Sequence, residues 1–508
     1  MELDAPTLPG LLAYRREHVP DLQALVTVDD AMTYAELDRD SAAISARLVA
    51  AGVVKGDRVG LLAPNGLEWA TIACAAMRIG AVLVPLSTLL RPPELLAQLV
   101  AASVSHLVSV RGFRDRRYLD DLEAEAPGLV AAVSAGGRHA GAPSLRGVWT
   151  TDGLPEASAA PELVRALEDR VRPADDLAIM FTSGSRGAPK GVIHTHGGAL
   201  RATAAGLEAR RVLPGERLYI PMPFFWMGGF GGGLLSALIA GATLLTEAEP
   251  DPTRTLELLE RERATLFRGW PDQAARLAAH PAFASADLSA LGDGSLGAVL
   301  SPERRPAAGA RANLFGMTES FGPYCGDRLD LDLPVDKHGS CGRPFEGVEV
   351  RIVEGEIWLR GPNLLRGICG QLRSMVFTPD GWFRTGDLGR LDAEGYLWYD
   401  GRLDDMVKVK GATVYPTEVE AALRAVDGVR QSYVTDVAPD GGSVQVAALV
   451  VTDADRADVV AGVKQRLSAF KVPTRWLLTS DASVVPMSAT GKVDKKGLQR
   501  LLELEGTP

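Results

Sequence analysis

Leu177-Ala178-Ile179-Met180-Phe181-Thr182-Ser183-Gly184-Ser185-Arg186-Gly187-Ala188-Pro189-Lys190-Gly191 is the stretch from which the chain is best read. Leu177 to Phe181 form an apolar run of the length and composition of a buried strand. From Thr182 to Gly191 the chain holds three glycines, three hydroxyls and two cations. Glycine admits positive φ and lets successive backbone N–H groups turn toward one point. The hydroxyls add donors, and Arg186 and Lys190 add positive charge, a combination that suits a polyphosphate. No Gly-Lys-Ser/Thr opens a helix after it, so it is not a Walker A loop. Taken alone, such a loop leaves a phosphate site and a surface turn equally open.

On either side, strands and helices alternate. Thr33-Tyr34 opens an amphipathic helix through Leu48, and Arg58 to Ala63 reads as a strand. Glu68 to Ile79 is a helix stopped by Gly80, Ala81 to Leu86 a strand, Pro92 to Val100 a helix and His106 to Val110 a strand. This alternation predicts a doubly wound α/β layer. Residues 111 to 168, rich in Ala, Gly and Ser, read only as peripheral structure. From Val348 short strands take over (Glu349–Val353, Glu356–Arg360, Tyr396–Tyr399), predicting a β-rich subdomain. Beyond Asp404 the pattern is helix, strand, strand, helix, an independent α+β unit. The expected architecture is α/β: residues 1–403 as a large N-terminal domain of doubly wound subdomains plus a β-rich part, and 404–508 as a small mobile α+β domain.

The 508 residues carry a net charge of −10, which argues against a nucleic-acid partner while leaving room for a local basic pocket. Cys74, Cys325, Cys341 and Cys369 form no CxxC pair, which fits a reduced cytoplasm and gives no support for zinc. The N-terminal MELDAPTLPGLL lacks the basic and apolar regions of a signal peptide, so a cytoplasmic protein is expected. Pro221 to Thr246 is free of charge and long enough for a membrane span. Prolines and glycines crowd its first half, so it reads instead as a buried loop and helix lining an apolar pocket.

Four further segments cluster polar residues. Asn313-Leu314-Phe315-Gly316-Met317-Thr318-Glu319-Ser320 offers a carboxylate for Mg²⁺ and a hydroxyl for a phosphate, or else a helix cap. Gly381-Trp382-Phe383-Arg384-Thr385-Gly386-Asp387-Leu388-Gly389 places Asp387 where it could accept ribose hydroxyls, or form an Asx-turn. The others are Gly401-Arg402-Leu403-Asp404-Asp405-Met406-Val407-Lys408-Val409-Lys410-Gly411 and Pro486-Met487-Ser488-Ala489-Thr490-Gly491-Lys492.

Each is weak alone, but their order and spacing resemble the adenylate-forming superfamily of acyl-CoA synthetases, nonribosomal adenylation domains and luciferases. The resemblance runs from about Thr33 to Lys492 and is nearest to the acyl-CoA ligases. It implies that Thr182, Ser183, Gly184, Ser185, Arg186, Gly187 and Lys190 embrace the β- and γ-phosphates of ATP. Phe315 and Gly316 would lie beside adenine, Thr318 and Glu319 by the α-phosphate and Mg²⁺, and Asp387 and Arg402 on the ribose. Asp404 would be the pivot of the small domain, with Lys410 and Gly411 beside the coenzyme A arm. Lys492 would bridge carboxylate and α-phosphate during adenylation.

Pro221-Met222-Pro223-Phe224-Phe225-Trp226-Met227-Gly228-Gly229 resembles the family's segment beside the acyl pocket. Amino-acid-activating relatives place Asp where this chain has Trp226, and an indole offers no carboxylate to an ammonium group. Phe225, Trp226, Met227, Gly229 and Phe230 imply an apolar wall and a hydrophobic acid, with coenzyme A as the acceptor. The chain departs from the pattern in two places. Phe315 replaces the motif's usual Tyr. Leu296 to Asn313 is compressed, lacking the helix expected before the Phe-Gly motif. The compression leaves open an enzyme that performs only thioester formation on a preformed acyl-adenylate. A non-catalytic nucleotide- or acyl-binding module, and an oxygenating light-emitting enzyme on the same fold, also stay open.

Overall fold

The computed structural model describes residues 6–182, 190–403, 407–409, 412–438, 444–467, 471–488 and 492–507. It divides into two compact units. The first comprises residues 1–350, 359–383 and 395–397, and the second 351–358, 384–394 and 398–508.

The first unit is built on a seven-stranded sheet. Its order is Gly367–Ile368, Lys190–Thr195, Asp176–Thr182, Val82–Leu86, Arg58–Leu62, His106–Ser109 and Gly147–Thr150. The inner strands run parallel, with Arg58↔Val82 to Leu62↔Leu86 in register. Val82–Leu86 is buried throughout, as a strand covered on both faces requires. Pro85 brings no N–H, and pairing with Asp176–Thr182 is confined to Leu83↔Ala178. The edge strand Gly147–Thr150 lies in a region that the sequence left unassigned; it pairs with His106–Ser109.

A second, five-stranded sheet runs Leu266–Phe267, Arg217–Tyr219, Thr243–Leu245, Gln23–Val26, Ala31–Thr33. One apolar core includes Leu61 and Leu83 of the first sheet, and Leu25, Leu218 and Leu244 of the second. The helix Leu67–Arg78 belongs to that core and is buried at every position from Trp69 onward, so it shows no polar face. Its one buried charge, Arg78, is paired with Asp38 at 3.0 Å and Glu168 at 2.6 Å. The helix Tyr34–Ala50 starts as the sequence predicts: Thr33 Oγ1 accepts from Glu36 N at 3.2 Å, and Glu36 Oε2 accepts from Thr33 N at 2.8 Å.

The charge-free stretch is a turn followed by an interrupted helix: α at Met227–Gly229, π at Phe230–Leu235, α at Ser236–Ala240. Among the described residues no helix is long and apolar enough to cross a membrane. Residues 297 to 313 hold two 3₁₀ turns, Gly297–Val299 and Pro302–Arg304, and no α-helix. A three-stranded sheet follows, Phe315–Met317, Gly322–Gly326 and Arg343–Pro344.

In the second unit a three-stranded sheet, Val429–Val437, Gln445–Thr452 and Arg475–Thr479, carries the helices Pro416–Arg424, Arg456–Lys464 and Lys495–Glu505. Val446, Ala448 and Val450 face one core with Val419 and Val459. Ala447, Leu449 and Val451 face the other with Leu498 and Leu502. That split is the two-residue period of a strand covered on both sides. The last helix and the strand Arg475–Thr479 were not read from the sequence.

Candidate active site

The glycine-rich loop is the connection of an antiparallel pair. Thr182 and Lys190 face each other as the last paired residues of Asp176–Thr182 and Lys190–Thr195. Ser183, Gly184, Ser185, Arg186 and Gly187 lie outside the described residues. Lys190 is exposed beside the loop. Gly191 follows because the strand is crowded there: a Cβ on it would stand 2.9 Å from Ile179 and 3.0 Å from Cys369 Sγ.

Four residues beyond Lys190, the same strand reaches the second motif. His194 is fully buried, and its Nε2 donates to the Thr318 carbonyl at 2.8 Å. The Glu319 carbonyl accepts from Leu365 N at 2.8 Å. The backbone of the Thr318–Ser320 3₁₀ turn is thus held from two sides. Ser320 Oγ ties the turn to itself, accepting from Met317 N at 3.2 Å and donating to Gly322 O at 2.7 Å. Phe321 is left-handed, with φ 54°, a conformation that costs a bulky residue about 1–2 kcal/mol. Ring packing holds it there, edge-on to His194 at 4.8 Å and to Phe230 at 5.9 Å. The Phe315 ring packs against Tyr324 at 5.6 Å. Gly316 passes so close to the facing strand that a Cβ would stand 2.2 Å from Gly322 O. Sequence reasoning missed His194, which lies 124 residues from its partner; its place just after the loop was the only available signal.

Burial holds the His194 imidazole down to about 3, against its bond to Thr318. Burial likewise holds His196 and His106 down to about 4. In the unfolded chain all three protonate near 6.5. Between about 4 and 6.5 the unfolded chain therefore binds more protons, and stability falls as pH is lowered through that window. Each imidazole contributes about 1.4 kcal/mol per pH unit while it titrates. The urea midpoint is expected to drop between pH 7 and pH 5, and the slope to flatten in His194→Asn. A midpoint that holds or rises on acidification contradicts this.

The apolar wall sits in the same unit. Phe225 is buried and Trp226 and Met227 are half-buried. The Trp226 indole is edge-on to Phe225 at 5.3 Å and to Trp270 at 5.5 Å. Phe230 is fully buried between Trp69 and Phe321, each 5.9 Å away. The glycines allow close approach. A Cβ on Gly229 would lie 2.2 Å from Pro223 O, and one on Gly231 3.2 Å from both Met227 Sδ and Phe321 Cε1. Through Phe321, the wall and the Thr318–Glu319 turn share one packed cluster.

In the second unit Arg402 Nη1 donates to Asp387 Oδ1 at 3.0 Å and to Thr385 O at 3.2 Å. Gly386, φ 71°, and Asp387 lie inside the strand Phe383–Leu391, not in the Asx-turn that the sequence left open. The Gly386 N–H donates at 3.0 Å to Oε1 of Glu356, which is buried and also paired with Arg384 at 3.0 Å. Glu356 was not singled out from the sequence, since it precedes the motif by 30 residues. Lys492 is exposed. Its backbone is closed onto Ser488, whose N donates to Lys492 O at 2.7 Å and whose Oγ does so at 2.8 Å. Asp404, Lys410 and Gly411 lie outside the described residues.

Among the described residues no three His, Cys, Asp or Glu side chains cluster as a metal site. Glu319, the carboxylate that the resemblance implies for Mg²⁺, lies on the Thr318–Ser320 turn.

Comparison with known proteins adds to this geometry. The family model described as AMP-binding enzyme matches residues 12–369. The 3-[(3aS,4S,7aS)-7a-methyl-1,5-dioxo-octahydro-1H-inden-4-yl]propanoyl:CoA ligase of Mycobacterium tuberculosis is 33% identical, over 98% of this chain and 99% of the relative. The feruloyl-CoA synthase of an Amycolatopsis species is 32% identical, over 92% and 94%. Among solved structures, a Mycobacterium tuberculosis fatty acyl CoA synthetase superposes with a TM-score of 0.71 at 25% identity, covering 98% of both chains.

Proposed function

The chain belongs to the AMP-binding enzymes, an ATP-dependent acid–thiol ligase, and on that premise we propose that it activates a hydrophobic carboxylic acid and passes it to coenzyme A. The observation that carries the choice of acid is Trp226. Its indole is framed edge-on by Phe225 and Trp270, and by the resemblance it would stand where an α-amino acid needs an anion.

In the first step the acid's carboxylate oxygen attacks the α-phosphorus of ATP, and the bond to pyrophosphate breaks. Two anions must approach, so the task of the protein is to offset charge and fix geometry. Thr182, Lys190 and the loop between them would hold the β- and γ-phosphates. Thr318 would donate to an α-phosphate oxygen, from a turn whose carbonyls are already fixed by His194 and Leu365. Asp387, oriented by Arg402, would accept the ribose hydroxyls. Lys492 would donate to the carboxylate and the α-phosphate together. Mg²⁺, held by Glu319 and phosphate oxygens, would neutralise charge as pyrophosphate leaves. In the second step the coenzyme A sulfur attacks the acyl carbon, the acyl–phosphate bond breaks, and AMP departs with the electron pair. Thiol attack needs different neighbours from adenylation, and a small domain that presents Lys492 in one step and the Lys410-Gly411 segment in the next would supply them in turn.

A second reading keeps only the thioester-forming step. It is favoured by the lack of any α-helix between residues 297 and 313, where the resemblance would place part of the adenine side of the site. One experiment separates the two. The protein is incubated with ATP, Mg²⁺ and a panel of fatty, alicyclic and aromatic acids, and pyrophosphate is followed. In parallel, synthetic acyl-adenylates are supplied with coenzyme A and thioester is followed. Activity in both assays is expected. Thioester without pyrophosphate would select the second reading, and amino acids outperforming apolar acids would sink the role given to Trp226.

A further inference from the structure

Arg210 and Arg268 meet in the first unit, where Arg268 Nη2 donates to the Arg210 carbonyl at 2.5 Å. Arg210 is only 8% exposed. Its Nε donates to Gly206 O at 3.1 Å and its Nη2 to Thr203 O at 2.9 Å. Its Nη1 has no hydrogen-bond partner among the described residues and faces Gly232, on which a Cβ would stand 3.7 Å away. The Nε of Arg268 is buried without a partner. Neither guanidinium has a carboxylate at ion-pair distance among the described residues. Nearby acids are already engaged: Asp330 pairs with Arg211 at 3.2 Å and Arg328 at 2.6 Å, and Glu216 accepts from Thr265.

Two neighbouring guanidiniums, Arg210 buried and Arg268 half-buried, are costly to hold without a counter-ion. Burial pulls Arg210 down to about 10. Arg268 is held at about 9 by burial and, second, by the charge of Arg210. Both nonetheless stay cationic at neutral pH. Their position relates them to the apolar wall. Along the wall, Trp226, Met227, Gly228 and Gly232 are half-buried while Gly229, Phe230, Gly231 and Gly233 are buried. The face that Arg210 Nη1 looks upon is thus the open one. Arg268 precedes by two residues the Trp270 that braces Trp226.

We propose that the acid pocket ends in a cationic seat formed by Arg210 and Arg268, and that the preferred acid carries a second oxygen acceptor, carboxylate or ketone, at the far end of its apolar frame. This rests on the ligase reading above. Guanidinium groups present planar, directed donors matched to such oxygens. An acid that brings the acceptor gives a partner to the unpaired Arg210 Nη1 and to the Arg268 guanidinium, whose Nε is buried without one. An acid that lacks it leaves them unpaired and is selected against.

The test measures pyrophosphate release by the full chain with ATP, Mg²⁺ and coenzyme A, on decanoate, 9-oxodecanoate and decanedioate. The kcat/KM for the oxo acid or the dioate is expected to exceed that for decanoate by about tenfold or more, and whichever leads identifies the acceptor as ketone or carboxylate. In Arg268→Met that ratio is expected to collapse toward one, and in Arg268→Gln, which keeps a donor in place, to fall less. No preference in the unaltered protein overturns the inference and leaves the ligase reading intact, and this readout needs no variant to fold. A preference unchanged in both folded variants also overturns it. Pyrophosphate from none of these acids, nor from the wider panel, overturns the ligase reading instead.

Discussion

Lys492→Ala is expected to slow pyrophosphate release about 10²- to 10³-fold while changing thioester formation from a supplied acyl-adenylate by less than about tenfold. The asymmetry follows from charge. During adenylation an anionic nucleophile approaches an anionic phosphate, and the proposed ammonium contact strengthens as charge develops. During thioester formation the attacked bond is already activated and AMP leaves as a stable anion, so the same ammonium has little to offset. The local structure makes the substitution a clean one. Lys492 is exposed, and its turn is closed by Ser488 through backbone atoms that alanine retains. The thermal midpoint should therefore not move. Equal losses in the two half-reactions would remove Lys492 from the role assigned to it.

Gly316→Ala carries the second large effect. The added methyl would stand 2.2 Å from Gly322 O and 2.4 Å from the Pro323 Cα, both backbone atoms that cannot swing aside. The strands Phe315–Met317 and Gly322–Gly326 must separate, at about 1–3 kcal/mol for a forced overpacking of this kind. The cost to catalysis should exceed the cost to stability. Thr318 and Glu319 sit on the connection between those strands, and a displacement of about 1 Å at reacting groups is worth roughly a hundredfold in rate. The expected outcome is a modestly lowered melting midpoint with pyrophosphate release down about a hundredfold. Gly367→Ala serves as the control, because a Cβ there meets nothing within 4 Å. Wild-type turnover in Gly316→Ala would show that the close approach does not position the turn.

The two substitutions also mark what could and could not be read in the sequence. Local signals carried far: Thr33-Tyr34 opens a helix, Pro92 opens another, and the apolar run before Thr182 is a strand. Thr182 falls at a strand end and the motif at 318 on a tight turn between strands, as small residues and carboxylates favour, whereas Asp387 lies within the strand Phe383–Leu391. What stayed hidden is non-local. Nothing near His194 indicates that its ring holds the Thr318 carbonyl, and nothing near Glu356 indicates that it receives the Gly386 N–H. The strand Gly147–Thr150 lies at a sheet edge, where one neighbour and a half-buried face leave a faint periodicity. The glycines of 228–233 argue against helix by propensity. They are helical because backbone passes within contact of Pro223 and Phe321, so tertiary packing overrides propensity there. Arg210 and Arg268 are 58 residues apart, and their meeting is a property of the fold alone.

The π segment Phe230–Leu235 has an implication for how such a wall diversifies. A π turn arises where a helix has accommodated one additional residue. Losing one residue there would relax it to ordinary α geometry while Met227–Gly229 and Ser236–Ala240 keep nearly the same facing, because the π turn has already absorbed the extra residue. A change of length there is thus confined to the glycine-rich turn itself, with the anchoring side chains on either side kept as they are.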